Sequence, residues 1–201
     1  SIKWIQEKKW EIAKFHFSNN DFYKQKIGGF LPDHWSDIPK ITKSDFQGEI
    51  QDIITQNIKR NDIYISNTSG SSGHPFYFAK DKNAHSRTWA YWAIRYSEIG
   101  LSLKSKEARF YGIPKELKSF SIEKIKDWVL NRVRFSVFDL SDKVLEKYLI
   151  KFRNIKFDYI YGYTNSILLF AKFLNKRNIT LKNICPTLKI TIVTSEVCSI
   201  E

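Results

Sequence analysis

The sequence predicts an α/β protein in which layered, partly parallel sheets are flanked by helices. Three observations carry this. Strand-like and helix-like segments alternate along most of the chain, the pattern of strands joined by helical crossovers. Segments such as RVRFSVF, from Arg132, alternate apolar and polar residues at the period of a half-buried strand. The segment TNSILLFAKFLNKR, from Thr164, is apolar nearly all round at helical length and is expected to be a buried helix. With 201 residues, 42% hydrophobic and 15% aromatic, the chain is long enough for a sizeable core and too apolar to be disordered.

Taken in order, residues 2–17 read as an amphipathic helix, with Ile2, Ile5, Trp10 and Ala13 near helical spacing. NNDFYKQKIGGFLPDHW reads as a turn-rich connection. After Pro39, Thr42 or Ser44 is placed to cap a helix running to about Asn57. DIYISN and PFYFAK read as two strands on either side of SNTSGSSG. A helix over Asn83–Tyr96 puts Trp89, Trp92, Ala93 and Tyr96 on one face, which is expected to be core. ARFYGI is strand-like, and SIEKIKDWVL is a helix with Ser121 as candidate cap. RVRFSVF is a strand, and DLSDKVLEKYLIKFR a helix entered through Asp139 or Ser141. FDYIYGY is a strand that stops at Gly162, and TLKITIVTSE is a strand ending in polar residues.

Charge and cysteine content narrow the function. The net charge is +12. Residues 1–67 carry 10 Lys and Arg against 9 Asp and Glu, whereas residues 68–201 carry 23 against 12. The excess is spread thinly, with no block of five like charges, so a dedicated nucleic-acid surface is not expected. Cys185 and Cys198 form neither a disulfide framework nor a zinc knuckle. His16, His34 and His85 show no partner spacing, and no metal-ligand cluster or Ser-His-Asp order is evident. No run of about 18 apolar residues exists, and the opening SIKWIQEKKW lacks the apolar stretch of a secretion signal. A cytoplasmic location is the expectation, with oligomeric state open.

The stretch from Ser66 to Gly73 could be a linker or a phosphate loop. A linker needs two independent pieces to join, and residues 1–65 are small for a core. The flanking IYIS and PFYF favour a hairpin with a long tip. Gly70 and Gly73 let backbone N–H groups converge, and Thr68, Ser69, Ser71 and Ser72 add hydroxyl donors without bulk. Neither a Walker loop nor a dinucleotide fingerprint is present.

TSGSSGHP, Thr68 to Pro75, resembles the phosphate-loop signature [ST]-S-G-[ST]-[ST]-G-x-P of the adenylate-forming superfamily. From average residue frequencies such a string arises by chance in about one 200-residue chain in 10⁵. IPKITKSDF is similar to the segment before that loop in phenylacetate–CoA ligase-like proteins, and within them in the CapK-type proteins of capsular polysaccharide biosynthesis. The block from Arg132 to Leu174 and the closing ITIVTSEVCSIE look like that branch too. The resemblance implies the fold of the N-terminal core of such enzymes. It divides the chain into a helical region over 1–60 and an α/β core over 61–201, with the loop at 68–75. It also implies an incomplete N-terminal domain without the C-terminal lid domain or the family's later Y-G-x-T-E segment, so that this chain alone is expected to be inactive.

The implied chemistry is activation of a carboxylic acid by ATP, with Mg²⁺, to an acyl-adenylate and transfer to an acceptor. Thr68, Ser69, Gly70, Ser71, Ser72 and Gly73 would hold the phosphates; the catalytic residues are not named by the resemblance. Tyr163 to Ser166 open a helix at the carboxyl end of a strand, where ligands bind in open α/β sheets. Either Tyr163 to Ser166, Tyr163 and Thr164 first among them, line the acyl pocket, or Tyr161 packs and Thr164 or Ser166 caps the helix. Ser195 and Glu196 lie near the adenine and acyl pocket by resemblance, or form a surface turn. The alternative function is a nucleotide- or acyl-binding protein of the same pathway without turnover.

Overall fold

A computed structural model of the chain describes residues 2–67, 76–112 and 117–197, the side chains of 117–120 excepted. The chain divides into two compact units, 1–91 and 92–201. The expected phosphate loop, 68–75, and Cys198 lie outside the described residues.

The first unit opens with helix α1 (Ile2–Asn19), which buries Ala13. A second helix, α2 (Asp21–Lys26), interrupts what the sequence suggested was only a turn-rich connection. Asn20 explains it. Its side chain accepts the Tyr23 N–H at 2.7 Å, capping α2, and donates to the Ile53 carbonyl at 2.9 Å. Asp21 in the first turn and Lys24 and Lys26 in the last also suit the helix dipole. Gly28, at φ 84°, ends α2 in the left-handed region that glycine tolerates.

The long helix expected from Thr42 or Ser44 to about Asn57 does not form. Thr42 caps a short 3₁₀ turn, Lys43–Phe46, through a capping box with Asp45. Asp45 accepts the Thr42 N–H at 2.7 Å and Lys26 Nζ at 2.9 Å. Gly48 follows, and helix resumes only as the single turn α3 (Ile50–Ile53). Strands β1 (Ile63–Asn67) and β2 (Tyr77–Asp81) pair antiparallel from Ile63 opposite Asp81 to Asn67 opposite Tyr77. The expected hairpin is present, and its two strands end where the loop begins and resumes.

Helix α4 spans Lys82–Glu98. Its aromatic stripe is not the core element expected. Trp89 and Trp92 are 50% and 47% exposed, and Trp89 Nε1 donates to His85 Nε2. His85 in turn stacks on Tyr64 at 4.1 Å. Tyr96 packs on the sheet, edge-on to Tyr159 at 5.7 Å.

The second unit holds a four-stranded parallel sheet of β3 (Glu107–Tyr111), β4 (Arg132–Ser136), β5 (Tyr159–Tyr163) and β6 (Ile190–Thr194). The strand order is β4-β3-β5-β6. Helices α5 (Leu117–Val129), α6 (Asp142–Asn154) and α7 (Thr164–Asn175) make the crossovers that parallel pairing requires, and a short α8 (Leu181–Ile184) precedes β6. Helix α5 starts upstream of Ser121, which is therefore inside the helix and not its cap.

Alternation along the strands sorts the two faces. Ala108, Phe110, Phe135 and Ile160 point to the core, joined there by Leu145, Tyr148, Leu149 and Phe152 of α6 and Phe170, Phe173 and Leu174 of α7. The α6 set follows the i, i+3, i+4, i+7 stripe of a one-faced helix. Phe110 and Phe135 stack at 4.9 Å in the middle of it. Helix α7 is not buried all round as its composition suggested: Leu168 and Leu169 are 42% and 47% exposed, because only one face meets the sheet. Gly162 lies inside β5, which runs one residue further than expected. A Cβ there would stand 2.3 Å from the Phe110 carbonyl oxygen, so β5 and β3 can approach this closely only at glycine. Cys185 is a buried free thiol whose Sγ accepts the Phe157 N–H.

Candidate functional site

The candidate site residues that the structure describes converge on the carboxyl edge of the parallel sheet, where β5 turns into α7 and β6 ends. In an open α/β sheet this edge is where crossovers diverge and ligands bind. Thr164 is buried, and its hydroxyl donates to the Glu196 carbonyl at 3.0 Å and reaches the Thr194 carbonyl at 3.3 Å. The Glu196 carboxylate accepts the Asn165 N–H at 2.9 Å. A carboxylate therefore sits on the first turn of α7, where unpaired amides and the helix dipole favour negative charge. The capping alternative for this segment is met from a distance: Thr164 ties the helix to β6, and the acid that caps it comes from 31 residues further along.

Ser195 adopts φ 75°, an uncommon conformation for a residue with a side chain. It turns the chain sharply after β6 and brings Glu196 back over α7. Thr164 and Glu196 are thus in one contact, and Ser195 is the bend that makes it.

Tyr163 belongs to a different group. It points to the face opposite the core, with Tyr159 and Tyr161, and stacks on Tyr111 of β3 at 4.3 Å. Burial, then a hydrogen bond with Tyr111, pushes the Tyr163 hydroxyl up to about 12. Arg109, two residues before Tyr111, lies over the Tyr161 and Tyr111 rings at 4.9 and 5.4 Å. This is a row of aromatic rings with a guanidinium over it, which offers polar hydroxyl groups and cation–π contacts. Sequence reading named Tyr163 and missed Tyr111 and Arg109. The signal was present in Glu107-Ala108-Arg109-Phe110-Tyr111, where every second residue is polar or amphipathic.

Among the described residues no group of three or more His, Cys, Asp or Glu could hold a metal ion. Glu196 is the one acid among the candidate site residues, and its carboxylate is engaged with α7, so the described residues offer no Mg²⁺ site. Among the described residues no helix is long and apolar enough to cross a membrane.

The fold is shared with 2-hydroxyisobutyryl-CoA ligase. The open conformation of that enzyme, in complex with 2-HIB-AMP and CoA, superimposes with a TM-score of 0.64 at 16% identity, covering 97% of this chain and 47% of the ligase. Its postadenylation state with 2-HIB-AMP gives 0.58 at 16% identity, covering 92% and 40%. Its thioesterification state with 2-HIB-AMP and CoA gives 0.58 at 16% identity, covering 92% and 41%. The chain thus spans less than half the length of these ligase structures. At such identity the likeness is one of fold. No protein-family model matches the chain, and no curated protein does. The α/β reading, with a parallel sheet flanked by helices, is borne out.

Proposed function

We propose that this chain belongs to an enzyme that activates a carboxylic acid with ATP as an acyl-adenylate and passes the acyl group to an acceptor. The observation that carries the reading is the antiparallel hairpin β1–β2, which closes at Asn67 and Tyr77 around the string TSGSSGHP. A strand–loop–strand arrangement anchors both ends of a glycine- and hydroxyl-rich loop, so its donors can be held toward one polyanion. The fold shared with ligases solved with an acyl-AMP and CoA supports the same reading.

In this account Thr68, Ser69, Gly70, Ser71, Ser72 and Gly73 hold the departing phosphates. Tyr163, Thr164, Ser195 and Glu196 form the acyl and adenine end. The carboxylate attacks the α-phosphorus and pyrophosphate leaves; a thiol, amine or hydroxyl then takes the acyl group and AMP leaves. Catalysis of this kind rests on positioning and neutralisation of charge more than on covalent chemistry by the protein. The likeness of IPKITKSDF and of the block from Arg132 to Leu174 to CapK-type proteins supports a place in surface polysaccharide synthesis.

The test is exchange of labelled pyrophosphate into ATP by the full-length protein over a panel of carboxylic acids. Acid-dependent exchange is expected. ATP binding with no exchange for any acid would overturn turnover and leave a nucleotide-binding protein in its place.

A further inference from the structure

The sheet face opposite the core carries a second set of charged groups, toward the amino ends of the strands. Glu107 of β3 stands in register with Arg132 of β4 and Tyr159 of β5. Glu107 is 5% exposed and fully engaged: it accepts Arg109 Nε at 2.5 Å and the Tyr159 hydroxyl at 2.7 Å. Arg134 is equally well met. It donates to Asp127 through Nε and Nη2, to Glu123 through Nη2 and to the Gly112 carbonyl through Nη1.

Arg132 is not met in this way. Its side chain is only 7% exposed, and its Nε has no hydrogen-bond partner among the described residues. Asp127 Oδ1 is 3.1 Å from that nitrogen, close enough for an ion pair but off the N–H direction, and the same carboxylate is held by Arg134. A guanidinium brings five donors and a permanent charge. Native structures seldom bury one so sparsely bonded unless something else supplies the acceptors. Arg109 is its diagonal neighbour on the same face, two residues past Glu107.

We propose that Arg132, with Arg109 beside it, forms an oxyanion-binding site that takes a carboxylate or phosphate group on the polar face of the sheet. Arg132 is the anchor, since its planar fork matches two oxygens of either group. Arg109 adds a second positive charge, its Nε fixed by Glu107. Burial first, and then the charge of Arg109, holds the Arg132 guanidinium below its usual range, against the opposing pull of Glu107 and Asp127. Arg132 lies in register four residues upstream of Tyr111, roughly 13 Å along the strands from the carboxyl edge, with Arg109 between them. The site does not rest on the nucleotide reading.

Inorganic phosphate is the probe, titrated calorimetrically at constant ionic strength. The titration uses the chain carrying Gly70→Ala and Gly73→Ala, so that the loop at 68–75 does not contribute. One saturable site is expected, weakened about tenfold or more by Arg132→Met, which removes the fork. Arg132→Lys keeps a positive charge beside Asp127 but cannot bind two oxygens in parallel, and about tenfold weakening is expected there too. A parallel titration with acetate names the source: whichever anion binds tighter is the chemistry the site takes. Absence of saturable binding of both anions would overturn the proposal and leave ordered water as the partner of Arg132. Unchanged affinity in Arg132→Lys would overturn it as well, and that variant decides the matter if Arg132→Met does not fold. Loss of ATP binding at the loop leaves this result untouched, so the two readings fail separately.

Discussion

Replacing Gly162 with alanine tests whether the candidate edge is held by close strand packing. The added Cβ would stand 2.3 Å from the Phe110 carbonyl oxygen and 2.6 Å from the Phe110 Cβ. Ordinary contact begins near 3.4 Å, so β3 and β5 must part by about 1 Å at a point where both are central strands. The neighbours are the Phe110 backbone and its Cβ, neither of which can swing aside. Overpacking of a filled core typically costs 1–3 kcal/mol, and the backbone clash puts this case at about 3 kcal/mol. Alanine would otherwise gain roughly 0.5–1 kcal/mol by reducing the freedom of the unfolded chain, leaving about 2 kcal/mol of net loss. Urea unfolding followed by far-ultraviolet circular dichroism reads this as a lower midpoint at unchanged slope. Equal or higher stability would refute the packing argument, and with it the reason for glycine one residue before Tyr163.

Two further outcomes follow from the geometry. Arg134→Ala leaves Asp127 and Glu123 facing each other without their shared cation. Breaking a buried pair costs about 3–5 kcal/mol, and the 16% and 26% exposure of the two carboxylates reduces this to about 2–3 kcal/mol in the same unfolding assay. Tyr163 holds its proton more tightly in the folded chain than in the unfolded one, so its contribution is complete below about pH 10 and disappears as pH rises toward about 12. Tyr163→Phe should therefore lose less stability than the parent across that window, measured by thermal melting at stepped pH.

Elements whose signals are local were legible in the sequence. The period-2 runs around Phe110, Phe135 and Ile160 state both the strand and its buried face, and the α6 stripe states its helix. The single helix expected after Thr42 was not legible because Gly48 and the Thr42–Asp45 capping box act against propensity within one turn. The exposed Trp89 and Trp92 show that an aromatic stripe says nothing of whether a partner face is present. At the candidate edge, Thr164 and Glu196 were named separately, but their contact depends on the turn at Ser195. Tyr111 reaches Tyr163 only through the register of β3 on β5, which no local pattern states. The phosphate loop is the opposite case: its string is specific in sequence, and it lies outside the described residues.

The central claim is that the loop between β1 and β2 holds the phosphates of ATP. Equilibrium titration of ATP into the chain, beside the chain carrying Gly70→Ala and Gly73→Ala, tests it most directly. The account predicts saturable binding that the double substitution abolishes while circular dichroism shows both proteins folded. Equal affinity of the two proteins for ATP would contradict it, and the stretch from Ser66 to Gly73 would then be a connection between strands and nothing more.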